Sequence, residues 1–166
     1  MQRETTCAFT GHRLIAKQQL EPLKKQLCAA VCSLIEKGFT DFCCGGALGF
    51  DQLAAQTVIR LKGSFPHIRL CLVLPCKNQD ERWSAQQKEN YRQILASADD
   101  IIYIADSYHT GCMQERNRYL VDCSSCLLAH LKQNRGGTKY TVNYAEKAGI
   151  PVHVLDGAVS QQLSFF

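Results

Sequence analysis

Residues 126–145, CLLAHLKQNRGGTKYTVNYA, read as a buried strand, a glycine turn and the opening of a helix. In an open α/β sheet, the helix that follows a strand turns its unpaired N–H groups and positive dipole end toward the crevice beyond that strand, where an anion is favoured. Gly136 and Gly137 permit close approach to the backbone, and Thr138 adds a hydroxyl. Arg135 and Lys139 place positive charge on either side, so a phosphate is the simplest guest. The same residues also suit an ordinary glycine turn with a threonine cap, and taken alone they leave both readings open.

The chain of 166 residues is long enough for one domain with a full core, expected over 1–166 with its core at 6–155 and a tail at 156–166. Hydrophobic residues at 46% and charged residues at 20% place it among soluble globular proteins. The net charge of +4 is too small to argue for nucleic acid as a partner. The longest apolar run, Leu70–Leu74, is far short of a membrane span, and MQRETTCAF has no signal-peptide core, so a cytoplasmic location is expected. Ten cysteines lie mostly inside apolar runs and read as small buried hydrophobes in a reducing compartment. Cys123 and Cys126 form a CxxC with no second pair to complete a zinc site, and no metal is expected.

Six short β-branched or apolar runs alternate with amphipathic segments, which predicts an α/β fold: a Rossmann-like, doubly wound, mainly parallel sheet of about six strands with helices on both faces. The expected strands are 6–10, 40–44, 68–74, 100–105, one beginning at 126, and 152–155. A long helix carries Leu20, Leu23, Leu27, Val31, Leu34 and Ile35 at three- and four-residue steps, with Pro22 suited to its first turn and Gly38 to its C′ stop. Pro75 is expected to stop the third strand, and Ser84 with Gln87 fits a capping box. The polar stretch CKNQDERW, residues 76–83, is suited to a lid. Phe165 and Phe166 in the tail offer a contact surface.

The candidate ligand groups fall at the carboxyl ends of these strands, where open α/β sheets bind ligands. Gly11, His12 and Arg13 follow the first strand. Gly45, Gly46 and Gly49 follow the second and allow a tight turn; Asp51 there can cap the next helix or accept from sugar hydroxyls. Their spacing matches neither a dinucleotide fingerprint nor a Walker loop. Trp83 can stack on a base or simply pack. After the fourth strand come Tyr108, Arg116 and Asn117, with Asp122 the expected partner of Arg116 and Arg118 facing solvent. Two glycine loops and a basic rim suggest a phosphorylated small molecule of the nucleotide class.

Five ordered segments carry a family likeness: FTGHR at 9–13, GGALGFDQLAA at 45–55, LPCKNQDERW at 74–83, MQERNRYLVD at 113–122 and RGGTKYTVNYA at 135–145. Together they resemble the YpsA-like family of the SLOG superfamily, which also holds the LOG-type phosphoribohydrolases and the DNA-processing protein DprA. The resemblance implies a Rossmann-like sheet, a pocket for a nucleotide or nucleotide-derived ligand with phosphate on the GGT loop, and a homodimer. LOG-type enzymes pair an arginine with a glutamate in a PGGxGTxxE pattern. Arg116 matches the arginine, but Thr141 stands in place of the glutamate, and threonine cannot act as a base near neutral pH. The expected function is therefore a nucleotide-binding sensor or regulator. The alternative is a hydrolase of a nucleotide N-glycosidic or phosphate linkage, with Asp51 or Glu115 supplying the carboxylate. Single-stranded DNA binding of the DprA kind is a third class, which the modest charge disfavours.

Overall fold

The computed structural model describes residues 1–158. The strands are β1 (Thr6–Gly11), β2 (Asp41–Cys44), β3 (Arg69–Cys76), β4 (Asp100–Ala105), β5 (Cys126–His130) and β6 (Val152–Val154). Between them run α1 (Lys17–Glu36), α2 (Phe50–Leu61), α3 (Ala85–Ser97), α4 (Cys112–Asp122) and α5 (Gly136–Lys147). All six strands pair in parallel in the order β4-β3-β2-β1-β5-β6. The chain winds outward from β1 to β4, then returns through α4 to β5 on the other side of β1. The topological switch point therefore lies between β1 and β5, where Phe9 pairs with Leu128 and Gly11 with His130.

Both sheet faces are covered, which is why the central strands are apolar throughout rather than alternating. On one face Phe9, Phe42, Leu70 and Leu72 meet the buried stripe of α1 (Leu23, Leu27, Val31), with Phe50 and Val58 from α2 and Ile94 from α3. On the other, Ala8, Cys43, Val73 and Leu127 meet Leu120 and Val121 of α4 and Val142 and Ala145 of α5. Each fully buried leucine or phenylalanine contributes roughly 1.5–3 kcal/mol. The ten cysteines are free thiols, seven of them buried and five of those in these layers.

The helix ends follow their sequence signals closely. Gly38 takes φ +94° at C′ of α1, with its N–H donating to Ile35 O (2.9 Å) and that of Phe39 to Leu34 O (3.0 Å), a Schellman closure. At α3 the Ser84 hydroxyl accepts from Gln87 N (3.2 Å) while Gln87 Oε1 accepts from Ser84 N (2.9 Å).

Three expectations are corrected. Helix α1 begins at Lys17, so Pro22 sits in its second turn and removes one intrahelical bond. Pro75 does not stop β3, which runs on to Cys76: the last pairing with β2 is Cys44–Leu72, so beyond it β3 is bonded only to β4 and the missing N–H at Pro75 has no neighbour to lose. The last strand ends at Val154 rather than 155. Phe165 and Phe166 lie outside the described residues. No helix among the described residues is long and apolar enough to cross a membrane.

Candidate functional site

A cavity of about 390 Å³ opens at the carboxyl end of the sheet over the β1/β5 switch point. Its floor is the end of β1, Phe9, Thr10 and Gly11, continued by His12 and Arg13. Gly11 is required there because a Cβ would stand 2.4 Å from the Phe50 side chain. One wall is the first turn of α5, Gly137 and Thr138; the wall beside it comes from α4.

Helix periodicity explains the α4 wall. Met113, Arg116, Asn117 and Leu120 recur at i, i+3, i+4 and i+7, the spacing of one face, and all four line the cavity. Two polar side chains thus occupy a stripe that a purely structural helix would fill with apolar ones. Arg116 and Asn117 are nevertheless buried. Arg116 donates through Nε to Asn117 Oδ1 (2.8 Å) and through Nη1 to the Gly45 carbonyl (2.8 Å). With its oxygen engaged by Arg116, Asn117 is left with its Nδ2 donor group, which lies 3.7 Å from where a Cβ on Gly137 would be.

Asp51, in the first turn of α2, completes the wall. Its Oδ2 lies 4.0 Å from Arg116 Nη1 and accepts from Ala47 N (3.3 Å). Burial pushes the Asp51 carboxyl above the usual carboxylate value, against the opposing pull of Arg116 and the Ala47 and Gly45 amides. The side chain does not cap α2, whose N-cap is Gly49 at φ +81°. Arg116 pairs with Asp51 and not with the expected Asp122, which lies six residues further along α4 and so on another face. Asp122 instead accepts from Tyr144 OH (3.0 Å). Arg118 is half-buried and donates to Tyr140 OH (3.0 Å).

At α5, Gly136 takes φ +85° and the N-cap residue, Arg135, makes no side-chain cap bond. The threonine cap read from the sequence is therefore absent: Thr138 sits inside the first turn, buried at the cavity wall. The opening amides of α5 are left to the cavity, and the helix dipole adds positive potential there. Arg13 adds a full charge at the exposed rim.

The structure brings together Gly11, His12, Arg13, Asp51, Arg116, Asn117, Gly137 and Thr138 on one wall system, with Gly136 beside it at the head of α5. The other sequence candidates stand off it. Gly45 and Gly49 shape the site from behind: a Cβ on Gly45 would fall 1.7 Å from Arg116 Nη1, and one on Gly49 2.2 Å from the Arg13 carbonyl. Gly46 packs against Leu74 and Tyr91. The turn at 45–49 spends its Ala47 amide on Asp51, while the Phe50 amide goes to His12 O (3.1 Å). Trp83 packs edge-on against Tyr91 (5.1 Å, 69°), Tyr108 is 62% exposed beyond β4, and the Thr141 hydroxyl donates to Gly137 O (2.8 Å). Glu115 points away with His109, 3.9 Å from it. The stretch suited to a lid is tied down by Gln79, which donates to Gly45 O (3.3 Å) and Tyr91 OH (2.9 Å).

Known proteins share this architecture. The YspA SLOG family (YpsA) matches residues 10–156. Relatives include the uncharacterized SPbeta prophage-derived protein YoqJ of Bacillus subtilis, 37% identical over 138 residues, 75% of this chain and 81% of its own. A UPF0398 protein of Brevibacillus brevis is 30% identical over 154 residues, covering 89% and 82%. Among solved structures, DNA processing protein A (DprA) of Streptococcus pneumoniae superposes with a TM-score of 0.67 at 16% identity, over 94% of this chain and 52% of that one. The Helicobacter pylori DprA gives 0.62 at 19% identity, over 96% and 66%. This chain thus spans about half of the first and two thirds of the second, and at such identities the likeness is one of fold. The sheet, the loops at its switch point and the match across 10–156 lead to one assignment: the chain belongs to the YspA SLOG family.

Proposed function

We propose that the protein binds a nucleotide or nucleotide-derived small molecule in the β1/β5 cavity, with a phosphate on the first turn of α5, and acts as a sensor or regulator. One observation carries this reading: the opening turn of α5, the Asn117 amide and Arg13 all border a single cavity. Backbone N–H groups, a carboxamide donor and a guanidinium are what an anion requires, and the dipole of α5 has the right sign. The cavity's roughly 390 Å³ stands near the lower end of the roughly 300–1,000 Å³ range of small-molecule sites, which favours one nucleoside phosphate over a long dinucleotide. Thermal shift and calorimetry with AMP, ADP-ribose and NAD test the reading. Stabilisation by at least one of them is expected, and no shift at millimolar concentration from any would refute it.

A second reading rests on Asp51. A buried carboxyl whose pKa is raised, lying in the wall of the same cavity, has the property of a general acid, and a hydrolase of an N-glycosidic bond needs one. Chromatographic detection of free base or ribose phosphate, lost in Asp51→Asn, would establish it. The Helicobacter pylori DprA, which shares the fold, binds single-stranded DNA. For this chain the net charge of +4 and the compact cavity of about 390 Å³ favour a small molecule, and a gel shift at low salt separates the two.

A further inference from the structure

We propose that His12 is a positioning residue that latches the β5–α5 connection through its uncharged imidazole, and that protonating it releases the phosphate end of the cavity. The inference deepens the nucleotide reading and rests on it for the ligand, though not for the latch.

His12 Nε2 accepts from two backbone amides, Lys132 N at 2.8 Å and Gln133 N at 3.3 Å. Only an imidazole with its lone pair on Nε2 and its proton on Nδ1 can do this. Lys132, Gln133, Asn134 and Arg135 are all exposed, so burial does not hold the connection. Among the described residues, 132–134 make no other hydrogen bond outside the helix. The segment leads directly into Gly136 and the opening turn of α5. His12 is thereby the tie between the two loops that flank the switch point.

The ring is backed by a fixed neighbour. His12 meets His130 edge-on (6.0 Å between centroids, 71°), and His130 stacks on Phe50 (5.8 Å, 26°) with its Nδ1 2.8 Å from Leu155 O. A protonated His12 would turn an Nε2–H toward two N–H groups, and both bonds would be lost. The charged or titratable groups near it are His130 from β5, in ring contact, Lys132 on the latched segment and Arg13 beside it, while Asp51 from α2 and Arg116 from α4 line the same cavity and α5 lines it with Gly137 and Thr138. Burial and then the His130 charge lower the His12 pKa from its ordinary 6.5. The latch is therefore closed at neutral pH and opens only below the ordinary imidazole range.

Amide hydrogen exchange of the full chain, read by NMR at about pH 7.5 and about pH 4.5 and corrected for intrinsic rates, tests this. Protection of Lys132 and Gln133 is expected to fall roughly tenfold or more at the lower pH, since two hydrogen bonds are lost. The amide shifts of Gly137 and Thr138 should move with the same midpoint. His12→Gln, whose carboxamide oxygen can accept at similar reach without titrating, is expected to keep the protection at both values; His12→Phe should lack it at both. ADP-ribose, whose pyrophosphate diester does not ionise in this range, should bind wild type several-fold more weakly than His12→Gln at the lower pH and about equally well at the higher, the Asp51 proton being common to both. Unchanged protection of the two amides in wild type would overturn the latch whatever the ligand does. Responding amides with the same pH dependence of ADP-ribose affinity in wild type and His12→Gln would overturn its coupling to the site. Responding amides with no nucleotide bound at any pH would leave the latch standing and refute the nucleotide reading instead.

Discussion

Arg116 and Gly45 stand 71 residues apart in the chain, yet the arginine's Nη1 donates to the glycine's carbonyl at 2.8 Å, and no side chain larger than hydrogen fits between them. The Gly45 amide helps hold Asp51, so this one residue joins both members of the buried charge pair. The second glycine loop therefore serves the site indirectly. It fixes Arg116, which fixes Asn117, which faces the first turn of α5.

Removing either end of that chain should be costly. Arg116→Met leaves Asp51 buried without its cation, and a loss of about 3–5 kcal/mol in urea unfolding is expected. Gly45→Ala retains both charges but displaces the guanidinium, and should lose more than about 2 kcal/mol. Arg116→Met combined with Asp51→Asn should recover part of the deficit in a double-mutant cycle. Full additivity of the two single changes would show that they do not interact.

The two glycines of the GGT loop should separate stability from binding. Gly136 takes φ +85°, so Gly136→Ala is expected to cost about 1–2 kcal/mol. Gly137 has no such strain, and its Cβ would meet only Asn117 Nδ2 at 3.7 Å. Gly137→Ala should therefore leave unfolding within about 0.5 kcal/mol of wild type. It would fill the gap between the α5 amides and Asn117, and so abolish the thermal shift given by a nucleotide. A retained shift would place the ligand elsewhere.

A control comes from α3. Ser84→Ala breaks the capping box and should destabilise the fold by about 1 kcal/mol while leaving ligand binding untouched, because that helix contributes nothing to the cavity wall. A changed affinity would mean that the site depends on global stability.

Local chemistry was legible in the sequence and long-range pairing was not. Gly38 and Ser84–Gln87 were readable because a Schellman stop and a capping box are satisfied within a few residues. The alternation of strands and helices gave the sheet, and the GGT loop gave the head of α5. Arg116 found Asp51 through a fold-dependent contact that no spacing along α4 reveals. The α4 wall was recoverable in principle: Met113, Arg116, Asn117 and Leu120 share one stripe, while Glu115 falls off it. Thr10 and Gln114 also line the cavity; both lie inside segments of the family likeness, but an uncharged side chain there carries no chemical signal of its own. Trp83 suits either base stacking or packing from its sequence alone, and contact with Tyr91 settles it as packing, while Tyr108 stands exposed beyond β4.

The raised pKa of Asp51 fixes the sign of a pH effect. Burial lifts it above the 3.8 that holds in the unfolded chain, so the folded state binds the proton more tightly than the unfolded state does. Its contribution to stability is complete below that unfolded value and is lost as pH rises through the folded pKa. Urea unfolding of wild type and Asp51→Asn from about pH 4 to about pH 8 should show wild type losing ground to the variant as pH rises, then levelling. The opposite slope would mean that Arg116 outweighs burial. An anion bound in the same cavity should raise the Asp51 pKa further, so ligand binding near that pKa should take up protons. Calorimetry in buffers of different ionisation enthalpy measures the uptake directly, and its persistence in Asp51→Asn would assign the proton to another group.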